Sequence, residues 1–149
     1  MQELHADKDF FDWLRTVSRE YGEAMTDWGQ HVHDAVADGG VIGVQRLLTA
    51  TDAAVERLVD ALMVIGRQHD APGTPKGGAA VLDALDRLLG ASADLLRDAR
   101  AGLEEQGLPA IATLSPRVTE LRGLEADVEQ QTEGMRGRLE STFGDPGKP

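Results

Sequence analysis

Phe10, Leu14, Val17, Tyr21, Ala24, Trp28, His31 and Ala35 follow one another at steps of four and three, the spacing that keeps side chains on one face of an α-helix. Three further stretches hold the same rhythm. They are Val44, Leu48, Thr51, Val55, Leu58, Leu62, Ile65 and His69; Leu82, Leu85, Leu89, Ser92, Leu96, Ala99 and Leu103; and Val118, Leu121, Glu125, Val128, Thr132, Met135, Leu139 and Thr142. No stretch alternates apolar and polar residues as a half-buried strand does. The pattern predicts an all-α chain of helices about 30 residues and 45 Å long.

The breaks are equally legible. Asp38-Gly39-Gly40 ends the first segment, which runs from about Asp7 to Ala37, and glycine suits the left-handed residue after a helix. The second, from about Val41 to His69, stops at Asp70-Ala71-Pro72-Gly73-Thr74-Pro75, which cannot continue a helix. Gly107 ends the third, from about Gly78 to Gln106. Pro109 predicts a short turn, and Ser115 is expected to cap the last helix, which runs to about Phe143. Short connections favour antiparallel neighbours, so the expectation is one domain over residues 1–143, an up-down-up-down four-helix bundle with coiled-coil-like packing. A tail from Gly144 to Pro149 is expected to fray.

Charge and composition narrow the function. The chain of 149 residues carries a net charge of -11, the wrong sign for a phosphate backbone, so nucleic acid is not expected as a partner. It holds no cysteine, which closes thiolate catalysis and cysteine-ligated metal sites. No window reaches the roughly 18 apolar residues of a membrane span, and a cytoplasmic protein is expected. Neither a P-loop nor a Gly-x-Ser-x-Gly elbow occurs, and no cofactor is expected.

Two bundle chemistries are excluded by spacing. Di-iron carboxylate bundles need paired Glu-x-x-His motifs, and none of His5, His31, His33 and His69 has Glu three residues before it. The Lys-Gly that follows the phosphorylated histidine in phosphotransfer bundles is missing after His31, His33 and His69. The Trp-x-Gly turn of type VII secretion substrates is not matched either, since Trp28 and Gly29 are adjacent within a continuous helical pattern.

Three constellations remain. His31 and His33 lie about 200° apart around a helix and cannot share a metal, but Asp27, His31 and Asp34 lie on one stripe at the border of the apolar face. They are the metal candidates; the plainer reading is a solvated acidic face. Tyr21, Ser92 and either Glu125 or Thr132 fall near one level of the predicted core as a buried polar layer. Such a layer specifies packing register, or else forms a small-ligand pocket in which a desolvated Glu125 serves as a base beside Tyr21. Phe10, Phe11, Trp13 and Leu14 span an arc of about 160°, wider than one core-facing stripe needs, and are the candidate partner-binding surface.

The functional expectation is a non-enzymatic helical-bundle protein, an adaptor or assembly component. It binds a protein partner or itself through the aromatic surface of its first helix. The alternative is a metal- or small-ligand-binding bundle, with or without catalysis.

Overall fold

The computed structural model describes residues 2–70 and 77–143, with side chains over 8–69 and 77–137. The Asp70 to Pro75 break and the tail from Gly144 to Pro149 lie outside the described residues in whole or part. So do the side chains of His5, Leu139 and Thr142.

The chain is all-α, and no strand occurs among the described residues. Its helices are α1 (Gln2–Asp38), α2 (Gly40–Asp70), α3 (Gly78–Gln106), the single turn α4 (Pro109–Ala112) and α5 (Ser115–Phe143). Among the described residues no helix is long and apolar enough to cross a membrane. The first helix begins five residues before the expected Asp7. Nothing between Gln2 and Asp7 breaks a helix, and the apolar rhythm marks only where a helix is covered.

The first break is tighter than expected. Gly39 alone separates α1 from α2, at φ 69°, and its amide donates to the Ala35 carbonyl at 2.8 Å. The Gly43 amide in turn donates to the Gly39 carbonyl at 3.1 Å, so α2 starts at once. A Cβ on Gly43 would press into the Ala35 carbonyl oxygen, so the two helices meet here because residue 43 has no side chain. At the far end of α3, Gly107 stands at φ 74° and its amide closes on the Leu103 carbonyl at 3.0 Å, the predicted C-cap. Pro109 then opens α4, as its missing N–H allows. Ser115 is the first helical residue of α5 rather than the residue before it, because the Leu114 carbonyl already accepts the Val118 amide at 3.0 Å.

Cross-helix ion pairs give the direction of each pairing. Arg57 of α2 reaches Glu20, Glu23 and Asp27 of α1, while Arg46 holds Asp38 at 2.7 Å. Residue numbers rise along α1 as they fall along α2, so the pair is antiparallel. The same ordering joins α2 to α3 through His69 with Asp86 and Asp52 with Arg100, and α3 to α5 through Arg87 with Asp127 and Asp98 with Arg117. Backbone packing runs α1 on α2, α2 on α3 and α3 on α5, with α4 against α3, whereas α1 and α5 approach one another only slightly.

The predicted stripe of α3 is buried throughout, and Val81, Ala84, Leu88, Ala93 and Leu95 widen it because α3 is covered on two sides. Along α1 every stripe position except His31 is buried. The stripe of α2 needs correction. Thr51, Leu58 and Ile65 are buried as expected, but Leu47 and Ala54 take the centre while Val44, Leu48, Val55 and Leu62 are half-buried, and His69 is exposed. α2 packs on both α1 and α3, so it buries two adjacent stripes. Glu125 of α5 is likewise exposed rather than in the seam.

Candidate functional site

Two segments without any ionisable side chain stand out in this acidic chain: residues 39–45, GGVIGVQ, and residues 106–116, QGLPAIATLSP. The antiparallel order of α1, α2 and α3 brings both to one end of the molecule. There Gly40, Val41, Val44 and Leu48 face Leu103, Leu108 and Pro109 across an open hollow of about 650 Å³. Val36, Val41 and Ile42 project from the same α1–α2 corner, 63%, 72% and 62% exposed. Large aliphatic side chains left in water at this level are unfavourable for an isolated molecule, at about 25 cal/mol per Å² of apolar surface. Charges beside the hollow are paired: Arg46 holds Asp38 at the α1–α2 corner, and Arg100 holds Glu104 in the wall of the hollow. The result is a mostly apolar end on a strongly acidic body, with Glu104 the one ionisable residue in the wall of the hollow.

A second, smaller groove opens where α1 and α5 approach only slightly. Ser18 and Tyr21 of α1, Leu85 and Leu88 of α3, and Glu125, Val128, Glu129, Thr132 and Glu133 of α5 line about 280 Å³. That volume sits at the lower edge of the roughly 300–1,000 Å³ of small-molecule sites. The Tyr21 hydroxyl donates to Glu125 Oε1 at 2.7 Å and bridges the two helices. Burial raises the Tyr21 phenol above its ordinary pKa, the Glu125 hydrogen bond adds to the rise, and the Ser92 hydroxyl opposes it. Tyr21 therefore stays a neutral donor over the physiological range.

The predicted polar layer is brought together in part. Tyr21, Glu125 and Ser92 meet, while Thr132 lines the groove with its hydroxyl turned to the Val128 carbonyl at 2.8 Å. Ser92 is fully buried and also donates to the Leu88 carbonyl at 2.7 Å. Glu125, however, is exposed rather than buried in the layer. The Tyr21–Glu125 hydrogen bond ties α1 to α5 across the groove.

Asp27, His31 and Asp34 do not converge. Arg57 engages Asp27 at 3.2 Å, Gln30 engages Asp34 at 3.1 Å, and His31 is exposed above them, as is His33 on its own side. Sharing a helix face does not bring side-chain ends together once each has a closer partner. Among the described residues the one set of three or more His, Asp or Glu donors that does converge is His69 of α2 with Asp83 and Asp86 of α3. In the sequence His69 falls in the apolar stripe of the second helix, and neither aspartate belongs to a candidate constellation. The i, i+3 spacing of the aspartates and the antiparallel order of α2 and α3 carry the signal.

The aromatic surface is divided. Phe10 and Leu14 are core residues, 3% and 4% exposed, and cannot meet a partner in the folded chain. Phe11 and Trp13 are half-buried on opposite flanks of α1. Phe11 lies under the Arg136 guanidinium of α5 at 5.5 Å, and Trp13 lines a cleft with Ala61 and Val64 of α2. The exposed aliphatic corner was missed because Val36, Val41 and Ile42 fall outside the buried stripes and flank a break. The chain matches no known family model, no curated protein and no solved structure.

Proposed function

We propose that this chain is a non-enzymatic interaction protein that docks through the apolar end of its α1–α2 corner, and that its first partner is a second copy of itself. Its body is read as one up-down-up-down four-helix bundle with coiled-coil-like packing, in which α4 is part of a connection. The three antiparallel pairings and the four-three spacing of buried residues along α1 and α3 support that architecture.

One observation carries the docking proposal: Val36, Val41 and Ile42 are exposed beside a mostly apolar hollow in which Glu104 is the one ionisable lining residue, and Arg100 holds that carboxylate. Two copies with a net charge of -11 repel wherever their acidic flanks face each other. That repulsion is weaker where the two segments without ionisable side chains lie, beside the exposed Val36, Val41 and Ile42. A standard interface covers about 800 Å² per partner, so the three exposed side chains must recruit the hollow walls at Val44, Leu48 and Leu108.

The test is sedimentation of untagged protein across a concentration series, with Val41→Asp, Ile42→Asp and Trp13→Asp beside the wild type. The wild type and Trp13→Asp are expected to associate, while the two corner variants sediment as monomers with unchanged helicity. Association lost in Trp13→Asp but kept in Val41→Asp would return the docking surface to the aromatic start of α1. A wild type that stays monomeric at every concentration overturns the self-association reading.

A further inference from the structure

At the opposite end of α2 and α3 from the apolar hollow, His69 Nε2 lies 2.8 Å from Asp86 Oδ2 and 3.9 Å from Asp83 Oδ1. All three donor atoms fall within 4.8 Å of one another. We propose that His69, Asp83 and Asp86 form a binding site for a divalent transition-metal ion of the zinc class, clamping α2 to α3.

Donor atoms around one zinc ion, each about 2.0–2.2 Å from it, stand about 3.0–3.6 Å apart. The observed separations bracket that range, and closing them takes only small rotations of exposed side chains. Asp83 and Asp86 are i, i+3 on α3, so a single helix face presents both carboxylates, while His69 approaches from the antiparallel neighbour. One imidazole and two carboxylates leave coordination positions for water, an open set rather than a closed structural one.

The neighbouring carboxylates show why this set differs from an ordinary acidic face. Further along α3, Asp94 is held by Arg97, Asp98 by Arg117 and Glu104 by Arg100. A guanidinium is a permanent cation with no lone pair to offer, so those carboxylates already have their positive partner. Arg87, one residue beyond Asp86, turns to Asp127 of α5. The group facing Asp83 and Asp86 is an imidazole, which when neutral is itself a metal ligand. A metal here would supply the positive charge that arginine supplies elsewhere.

The experiment is calorimetric titration of untagged protein with Zn²⁺ and separately with Mg²⁺, using wild type, His69→Ala, Asp86→Asn and His31→Ala. One saturable Zn²⁺ site is expected in the wild type and in His31→Ala. It should weaken by about tenfold or more in His69→Ala and Asp86→Asn, with Mg²⁺ bound much more weakly because it disfavours nitrogen donors. Zn²⁺ should raise the unfolding midpoint of the wild type and not that of His69→Ala, a readout that also confirms the variant is folded. Wild type without a saturable Zn²⁺ site, His69→Ala retaining wild-type affinity, or Mg²⁺ matching Zn²⁺ would each overturn the proposal.

Discussion

Trp28 Nε1 donates to Thr51 Oγ1 at 2.9 Å across the α1–α2 interface, and the Thr51 hydroxyl in turn donates a hydrogen bond to the Leu47 carbonyl at 2.6 Å. Both side chains are buried, so the indole N–H has no water to turn to. This relay explains why a threonine occupies the middle of an apolar stripe. Replacing Thr51 with Val keeps the shape and leaves the indole donor unpaired. The expected loss is about 1–3 kcal/mol by denaturant unfolding. Trp28→Phe combined with Thr51→Val should lose less than the sum of the single changes, because the unpaired donor goes with the indole.

Tyr21 is the chain's single tyrosine, so tyrosinate absorbance reports it alone. Its midpoint should lie above the ordinary value of 10.0 in the folded protein and return to it in denaturant. The raised value fixes the sign of the stability effect. Below the unfolded midpoint both states keep the proton; above it the unfolded chain releases the proton while the folded chain holds it. The Tyr21 contribution to stability is therefore intact at neutral pH. It declines by up to about 1.4 kcal/mol per pH unit once pH passes the unfolded value. Tyr21→Phe should remove this alkaline component. A folded midpoint at the ordinary value would contradict the Tyr21–Glu125 geometry.

Glycines inside the helices divide into two groups with opposite predictions. A Cβ at Gly22, Gly66 or Gly90 would have no atom within 4 Å, so close helix approach does not account for them. Alanine at each should raise stability by about 0.5–1 kcal/mol through helix propensity. Gly43→Ala should lower it, because the added Cβ meets the Ala35 backbone rather than a side chain that can move. Thermal melts of Gly22→Ala and Gly43→Ala should move in opposite directions.

Arg57 is the cation shared by Glu20, Glu23 and Asp27, with its side chain about one-third exposed. Solvent screening limits each pairing, so Arg57→Ala should cost only about 0.5–1 kcal/mol, chiefly because three carboxylates then face one another. Raising salt to about 1 M should shrink the gap between variant and wild type. A gap insensitive to salt would point to lost packing of the arginine stem instead.

The helices of this chain are legible because their rhythm and their breaks agree. The α1 and α3 stripes, Gly39, Gly107 and Pro109 all mark the observed elements. Periodicity fails where a helix is covered on two sides: α2 offers two apolar stripes, and nothing local says that Leu47 and Ala54 lie deeper than Leu48 and Val55. It fails again for Glu125, whose step in the rhythm falls where α1 and α5 stand apart. Side-chain convergence is less legible still. Asp27, His31 and Asp34 share a helix face, yet Arg57 and Gln30 draw the carboxylates away. His69, Asp83 and Asp86 meet only because the register of two antiparallel helices puts them there.

The slight approach of α1 to α5 also sets an order of events in unfolding. The close packings join helices that follow one another along the chain, whereas the Tyr21–Glu125 bridge spans 104 residues. Its closure carries the largest loop entropy and the least backbone contact to offset it. This seam should therefore part before the others, and amides along the groove side of α5 should exchange with solvent before those of α3. Any molecule held between Tyr21 and Glu129 would act as a splint on the two outermost helices, slowing exchange in both at once.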